Sequence, residues 1–127
     1  MTMTLVNFFR LCWLLALVIV FWFACIPAPP EVMVAFNDKV AHFLVFFCLG
    51  GSAFFLWSDK NTVHKILFFL ALYGAFIEVV QYYVPGRTLS LFDWIMDIAG
   101  LICAFWFIKF KLATFKIFPG GGCDDVS

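Results

Sequence analysis

Residues 66–84 read ILFFLALYGAFIEVVQYYV, an apolar run with no proline and one acid, Glu78. As an α-helix the run extends about 28 Å, close to the roughly 30 Å of hydrocarbon in a bilayer. A carboxylate at that depth costs on the order of 3 kcal/mol or more, so it belongs against protein rather than lipid. This stretch therefore predicts a membrane-crossing helix with an acid to hide.

Working outward, three further runs of similar length appear: Phe8–Ile26, Asp38–Trp57 and Leu91–Ile108, beside Ile66–Val84 itself. The breaks between them carry turn chemistry. Pro27-Ala28-Pro29-Pro30 ends the first run, because proline lacks a backbone donor and disfavours helix in the residue before it. Ser58-Asp59-Lys60-Asn61 reads as a polar turn and Pro85-Gly86-Arg87 as a tight one. The first run is longer than a signal-peptide core, and Pro29 after Ala28 makes a poor cleavage site, so it reads as a retained helix. The expected architecture is all-α, a polytopic membrane protein with a bundle of four transmembrane helices. Residues 1–118 form that domain, and 119–127, with a Gly-Gly-Gly run, read as a disordered tail.

Composition agrees. Hydrophobic residues make up 65% and charged ones only 13%, against about 45–50% apolar and 25% charged in soluble domains. The net charge of zero excludes nucleic acid as a partner, which would need clustered basic surface. Cys12, Cys25, Cys48 and Cys103 lie in apolar runs and Cys123 stands in the tail, without any zinc-ligand spacing. No cofactor is implied. Arg10, Lys60, Lys65, Lys109, Lys111 and Lys116 fall on one side of a four-span topology, and Lys39 and Arg87 on the other. The positive-inside rule then puts both termini in the cytoplasm.

Five of the eight acidic side chains lie in or beside the apolar runs: Glu31, Asp38, Glu78, Asp93 and Asp97. Asp38 and His42 share one face of the second helix, as Asp93 and Asp97 share one face of the fourth. Glu78 and Gln81 lie near the end of the third, and Arg87 sits in the short loop that follows. With Lys39 these make a polar set drawn from three helices and gathered in the outer half of the membrane. His42, Glu78 and Asp93 are the candidates for acid/base chemistry or recognition; Asp38, Lys39, Gln81, Arg87 and Asp97 are the candidates for ligand binding. We expect His42, Glu78, Arg87 and Asp93 to line one cavity between the second, third and fourth helices, with the first as a hydrophobic wall. Each residue also has a plainer role: helix-end acid for Asp38 and Asp93, interfacial cation for Lys39 and Arg87, interhelical bridge for Gln81. The carboxylates and His42 are also the right donors for a divalent cation, although no recognised metal spacing accompanies them. Gly50, Gly51, Ser52, Gly74, Ala99, Gly100 and Ala104 are the small residues through which helices could approach closely.

The run Asp38-Lys39-Val40-Ala41-His42-Phe43, then Glu78-Val79-Val80-Gln81, then Pro85-Gly86-Arg87-Thr88-Leu89-Ser90 and Asp93, resembles the VanZ-like family of small bacterial membrane proteins. The likeness extends to Gly100 in the last helix. It departs at Asp97, where the family's fourth helix usually carries Asn. The resemblance implies a multi-pass protein of the bacterial cytoplasmic membrane. It also implies a link to resistance against the glycopeptide teicoplanin, associated with the founding member, but supplies no reaction.

Two functions of different class follow. In one, Lys39 and Arg87 hold the anionic head of an envelope amphiphile (a membrane lipid or a lipid-linked cell-wall intermediate) while His42, Glu78 and Asp93 recognise it or move its protons. In the other, the same residues form a network that only holds the helices together. Proton-coupled transport is disfavoured, since four short helices without an inverted repeat leave little for alternating access. For the topology, reporter fusions at Asn61 and Ile117 should both give a cytoplasmic signal and one at Pro30 an external signal; an external signal at Ile117 would reverse the orientation.

Overall fold

Each apolar run becomes one helix. The computed structural model describes residues 3–27 and 34–117 of the chain. Pro29, Pro30, Glu31, Cys123 and the tail 119–127 lie outside the described residues. The helices are α1 (Met3–Cys25), α2 (Val34–Leu56), α3 (Lys60–Tyr82) and α4 (Leu91–Ile117), with no strand among the described residues. All four are long and apolar enough to cross a membrane.

Several boundaries differ from the sequence expectation: α1 starts at Met3 and α2 at Val34, which places Asp38 in the second turn of α2 and not at its end. α4 continues past Ile108 to Ile117, and α3 starts at Lys60, so Lys60 and Asn61 belong to a helix and not to a turn. The reason is a cap. Asp59 adopts extended backbone (φ −84°, ψ 121°) and its carboxylate accepts from Thr62 N at 2.8 Å and from Thr62 Oγ1 at 2.6 Å. Those bonds satisfy a free amide of the first turn and, with the Thr62 hydroxyl foremost, hold the Asp59 carboxyl below its usual range. Polar residues at a helix end reach the interface, so a drop in hydropathy does not stop the helix there.

The α3–α4 connection follows the expected chemistry. Arg87 N donates to Val84 O at 3.1 Å, and Gly86 sits at φ 79°, which only glycine adopts without strain. Proline at the second position and glycine at the third are what a type II turn requires. The turn is tight enough to direct Arg87 back over the bundle.

Packing is led by the α2–α4 pair, which run parallel with their residue numbers rising together. A Cβ at Gly100 would collide with the Phe43 carbonyl and stand 2.9 Å from Phe47 N, so the two backbones meet there. Gly50 fits against Leu101 and Ala104 farther along the same seam. Gly51, by contrast, faces open space and makes no such contact. α1 packs on α2 and α3, and among the described residues its backbone does not come close to that of α4.

The polarity of the bundle is inverted relative to a soluble protein. Trp22, Phe55, Phe68 and Phe110 are among many large apolar side chains that point outward, as lipid requires, while Glu78, Gln81, Asp93 and Asp97 are buried. Aromatic donors tie neighbouring helices to backbone carbonyls: Trp13 Nε1 to Leu49 O (3.2 Å), Tyr73 Oη to Leu17 O (2.6 Å) and Trp94 Nε1 to Ala71 O (3.0 Å). Arg10 closes the opposite end of the bundle. Its Nε and Nη2 donate to Leu56 O at 3.1 and 2.9 Å, and its guanidinium lies 5.3 Å from the Trp57 ring centre. A carbonyl at the C-terminal end of a helix is a natural site for a cation.

Gly100→Ala should lower the melting temperature in detergent, since overpacking costs about 1–3 kcal/mol. Gly51→Ala should leave it unchanged or raise it. Equal effects from the two would remove the α2–α4 contact as the organising feature.

Candidate functional site

The α2–α4 seam positions the polar residues. Moving from Gly100 towards the α3–α4 loop, the next contact is a hydrogen bond between His42 Nδ1 and Asp97 Oδ1 at 2.9 Å. One turn farther, Lys39 Nζ donates to Asp93 Oδ1 at 2.7 Å. His42 and Lys39 are three apart on α2, Asp97 and Asp93 four apart on α4, so the two pairs stack as a ladder along the seam. Asp93 is also a first-turn acid of α4, with its amide bonded to Ser90 O at 3.0 Å. The plainer role for Asp93 and its ion pair therefore coexist.

α3 adds the third side. Glu78 Oε2 accepts from Ser90 N at 3.0 Å, tying the end of α3 to the start of α4. The Gln81 amide is oriented by its neighbours: its nitrogen donates to Glu78 Oε1 at 3.3 Å and its oxygen accepts from Arg87 Nη1 at 3.0 Å. Gly74 matters for a different reason. A Cβ there would stand 2.5 Å from Asp97 Oδ2, so glycine leaves the room that the carboxylate occupies.

Arg87 reaches across to α1. Its Nε donates to Ile26 O at 3.0 Å and its Nη2 to Phe23 O at 3.4 Å, with Asp38 Oδ1 3.7 Å from Nη1. The guanidinium thus sits at the C-terminal end of α1, where carbonyls lack helical partners.

A cavity of about 320 Å³ opens beside this group. Asp38, His42, Gln81 and Arg87 supply polar lining, while Val20, Phe23 and Ala24 of α1, with Val45 and Ile77, make it mainly apolar. This corrects the expected position. The cavity lies among α1, α2 and α3, and neither Glu78 nor Asp93 lines it. The backbones of α2 and α4 meet at Gly100, whereas α1 packs less closely and leaves the gap. As expected, α1 forms an apolar wall, but its terminal carbonyls also bind Arg87.

All eight residues singled out in the sequence fall at the α3–α4 loop end of the bundle; six of them form two subsets that share His42, and Lys39 and Asp93 make a separate ion pair. Asp38, His42, Gln81 and Arg87 border the cavity. Glu78, Asp97 and His42 meet in the interior between α2, α3 and α4, with ligand atoms within 4.8 Å of one another. Lys39 belongs to neither subset. One position past Asp38 on the helix, it turns towards α4 and is neutralised by Asp93, so it does not join Arg87 at one anion. The sequence reading passed over Ser90 as a donor and the Phe23 and Ile26 carbonyls as acceptors. Serine directly before the apolar run of α4 was a readable helix-start signal, but backbone groups of α1 carry no sequence signature.

This arrangement unites the segments 38–43, 78–81, 85–90 and 93–100. The profile of the VanZ/LLP1 family matches residues 3–113. The chain belongs to this family. No curated protein and no solved structure gives a significant match. In this VanZ/LLP1 member Asp97 is the most deeply buried acid of the set, at 0% exposure.

Lys39→Ala should destabilise the protein by about 1–3 kcal/mol, the cost of leaving a buried carboxylate without its donor. Combining it with Asp93→Asn should recover much of that loss. Additive losses in the double variant would show that the pair is not coupled.

Proposed function

We propose that this protein binds an envelope amphiphile in the cavity among α1, α2 and α3. The observation that carries the reading is the division of that cavity: a polar group of Asp38, His42, Gln81 and Arg87 beside apolar walls from Val20, Phe23, Ala24, Val45 and Ile77. Within a membrane such a space suits a molecule with an acidic head and a hydrocarbon tail. Asp38 is the loosest of the Arg87 partners, at 3.7 Å, so an acidic headgroup would take its place on the guanidinium. Asp38 and Gln81 would then accept from hydroxyls or amines beside that acid. An anionic phospholipid or a lipid-linked cell-wall intermediate meets this description. We place the protein in the bacterial cytoplasmic membrane with both termini inside, so that the site faces the outer leaflet.

The scaffold reading keeps a specific observation in its favour. Lys39 with Asp93, His42 with Asp97, and Glu78 with Ser90 are already paired within the protein. A variant that spares every one of these pairs separates the readings. Ala24→Leu narrows the cavity from its apolar side. Binding of phosphatidylglycerol, followed by native mass spectrometry of protein released from micelles, should be lost in Ala24→Leu, while the melting temperature stays the same or rises. Undiminished lipid binding would leave the scaffold as the better account.

A further inference from the structure

We infer a binding site for one first-row divalent cation, of the Zn²⁺ or Mn²⁺ type, formed by His42, Glu78 and Asp97 in the interior between α2, α3 and α4. Three observations lead there. The first is the donor set: one imidazole nitrogen and two carboxylate oxygens, from three different helices, lie within 4.8 Å of one another. Such ions bind these atoms at about 2.0–2.2 Å, which sets neighbouring ligands of one tetrahedral ion about 3.4 Å apart. The widest separation in the group would therefore close by on the order of 1 Å, within the reach of side-chain rotation.

The second is an orphaned atom. Asp97 is wholly buried, and its Oδ2 has no hydrogen-bond partner although Oδ1 is bound to His42. A buried carboxylate oxygen without a partner is costly, and buried polar groups in folded proteins are ordinarily satisfied. Gly74 lies against that atom, and a Cβ there would stand 2.5 Å from it, so the missing side chain is what admits the carboxylate.

The third is charge. The polar end of the bundle holds four carboxylates, Asp38, Glu78, Asp93 and Asp97, against two fixed cations, Lys39 and Arg87. Those cations face Asp93 and Asp38. Glu78 and Asp97 are left with His42, and one divalent cation balances both. At membrane depth that neutralisation is worth most, because lipid offers no solvation.

The chemistry also selects the class of ion. Mg²⁺ and Ca²⁺ prefer all-oxygen shells, whereas an imidazole with carboxylates suits first-row transition ions and Zn²⁺. Ser90 N and the Gln81 amide, both bonded to Glu78, would orient that ligand, as outer partners do in metal sites. His42 also borders the cavity, so the ion would place positive charge near the polar lining there.

The test uses full-length protein in detergent, stripped with EDTA, dialysed and titrated with Mn²⁺ or Zn²⁺ without added lipid. Bound metal is counted by atomic emission and stability followed by melting. We expect one ion per chain and a rise in melting temperature that EDTA reverses. Asp97→Asn and Glu78→Gln should each weaken binding at least about tenfold, with circular dichroism used to confirm their helix content. Asp59→Asn, which changes an exposed acid at the opposite end, should bind as the parent does. Ala24→Leu should also keep the ion, so loss of lipid binding and loss of metal binding are read separately. No ion bound by the folded parent, undiminished binding in both Asp97→Asn and Glu78→Gln, or Mg²⁺ binding as tightly as Mn²⁺ would each overturn the assignment.

Discussion

The close approach of α2 and α4 at Gly100 is the constraint on which the rest of the site depends. Because residue 100 has no side chain, the α4 backbone meets the Phe43 carbonyl directly. That contact fixes the axial register and spacing of two parallel helices. With both fixed, His42 faces Asp97 and Lys39 faces Asp93 at hydrogen-bonding distance. In lipid there is no hydrophobic drive to bring helices together, so close backbone packing and polar bridges do that work. The two pairs act as register pins: slipping α2 along α4 by one turn would leave charges in hydrocarbon.

A second tier of interactions attaches the remaining helices through carbonyl groups at helix ends. Arg87 holds the C-terminal end of α1, and Arg10 holds the C-terminal end of α2 on the opposite face of the bundle. Each uses a guanidinium to satisfy acceptors that a helix terminus leaves free. Neither is spent on a carboxylate alone, and so both can clamp a helix without requiring a buried counter-charge. α1 receives fewer contacts than the other helices. Its looser seat is what leaves the cavity, which connects the weakest packing in the bundle to its best candidate binding space.

The polar residues divide by depth as well as by partner. Arg87, Asp38 and Lys39 remain partly exposed and can exchange partners, whereas Asp97 is sealed and Glu78 nearly so. The exchangeable group suits a ligand that comes and goes; the sealed group suits something small that stays. His42 joins the two, with one edge at the cavity and Nδ1 on Asp97.

The number of helices, their apolar character and the end at which the polar residues gather were legible from the sequence. Length and hydropathy are local properties, and an acid such as Glu78 in a long apolar run has few places to hide. The tight turn at Pro85-Gly86-Arg87 was legible for the same reason, since proline and glycine dictate their own dihedral angles. The start of α3 was not, because Asp59 as a cap and Asp59 as a turn residue look alike until the backbone of Thr62 is in place. Which residues share a cavity was decided only by tertiary structure. The cost of turning polar groups to lipid suggested one cavity among α2, α3 and α4, but the backbones of α2 and α4 meet at Gly100 and the cavity lies beside α1. Gly74 and Gly51 look equivalent in sequence, yet one shelters the Asp97 carboxylate and the other meets nothing. Partner choice is a property of distances between helices, which no single segment encodes.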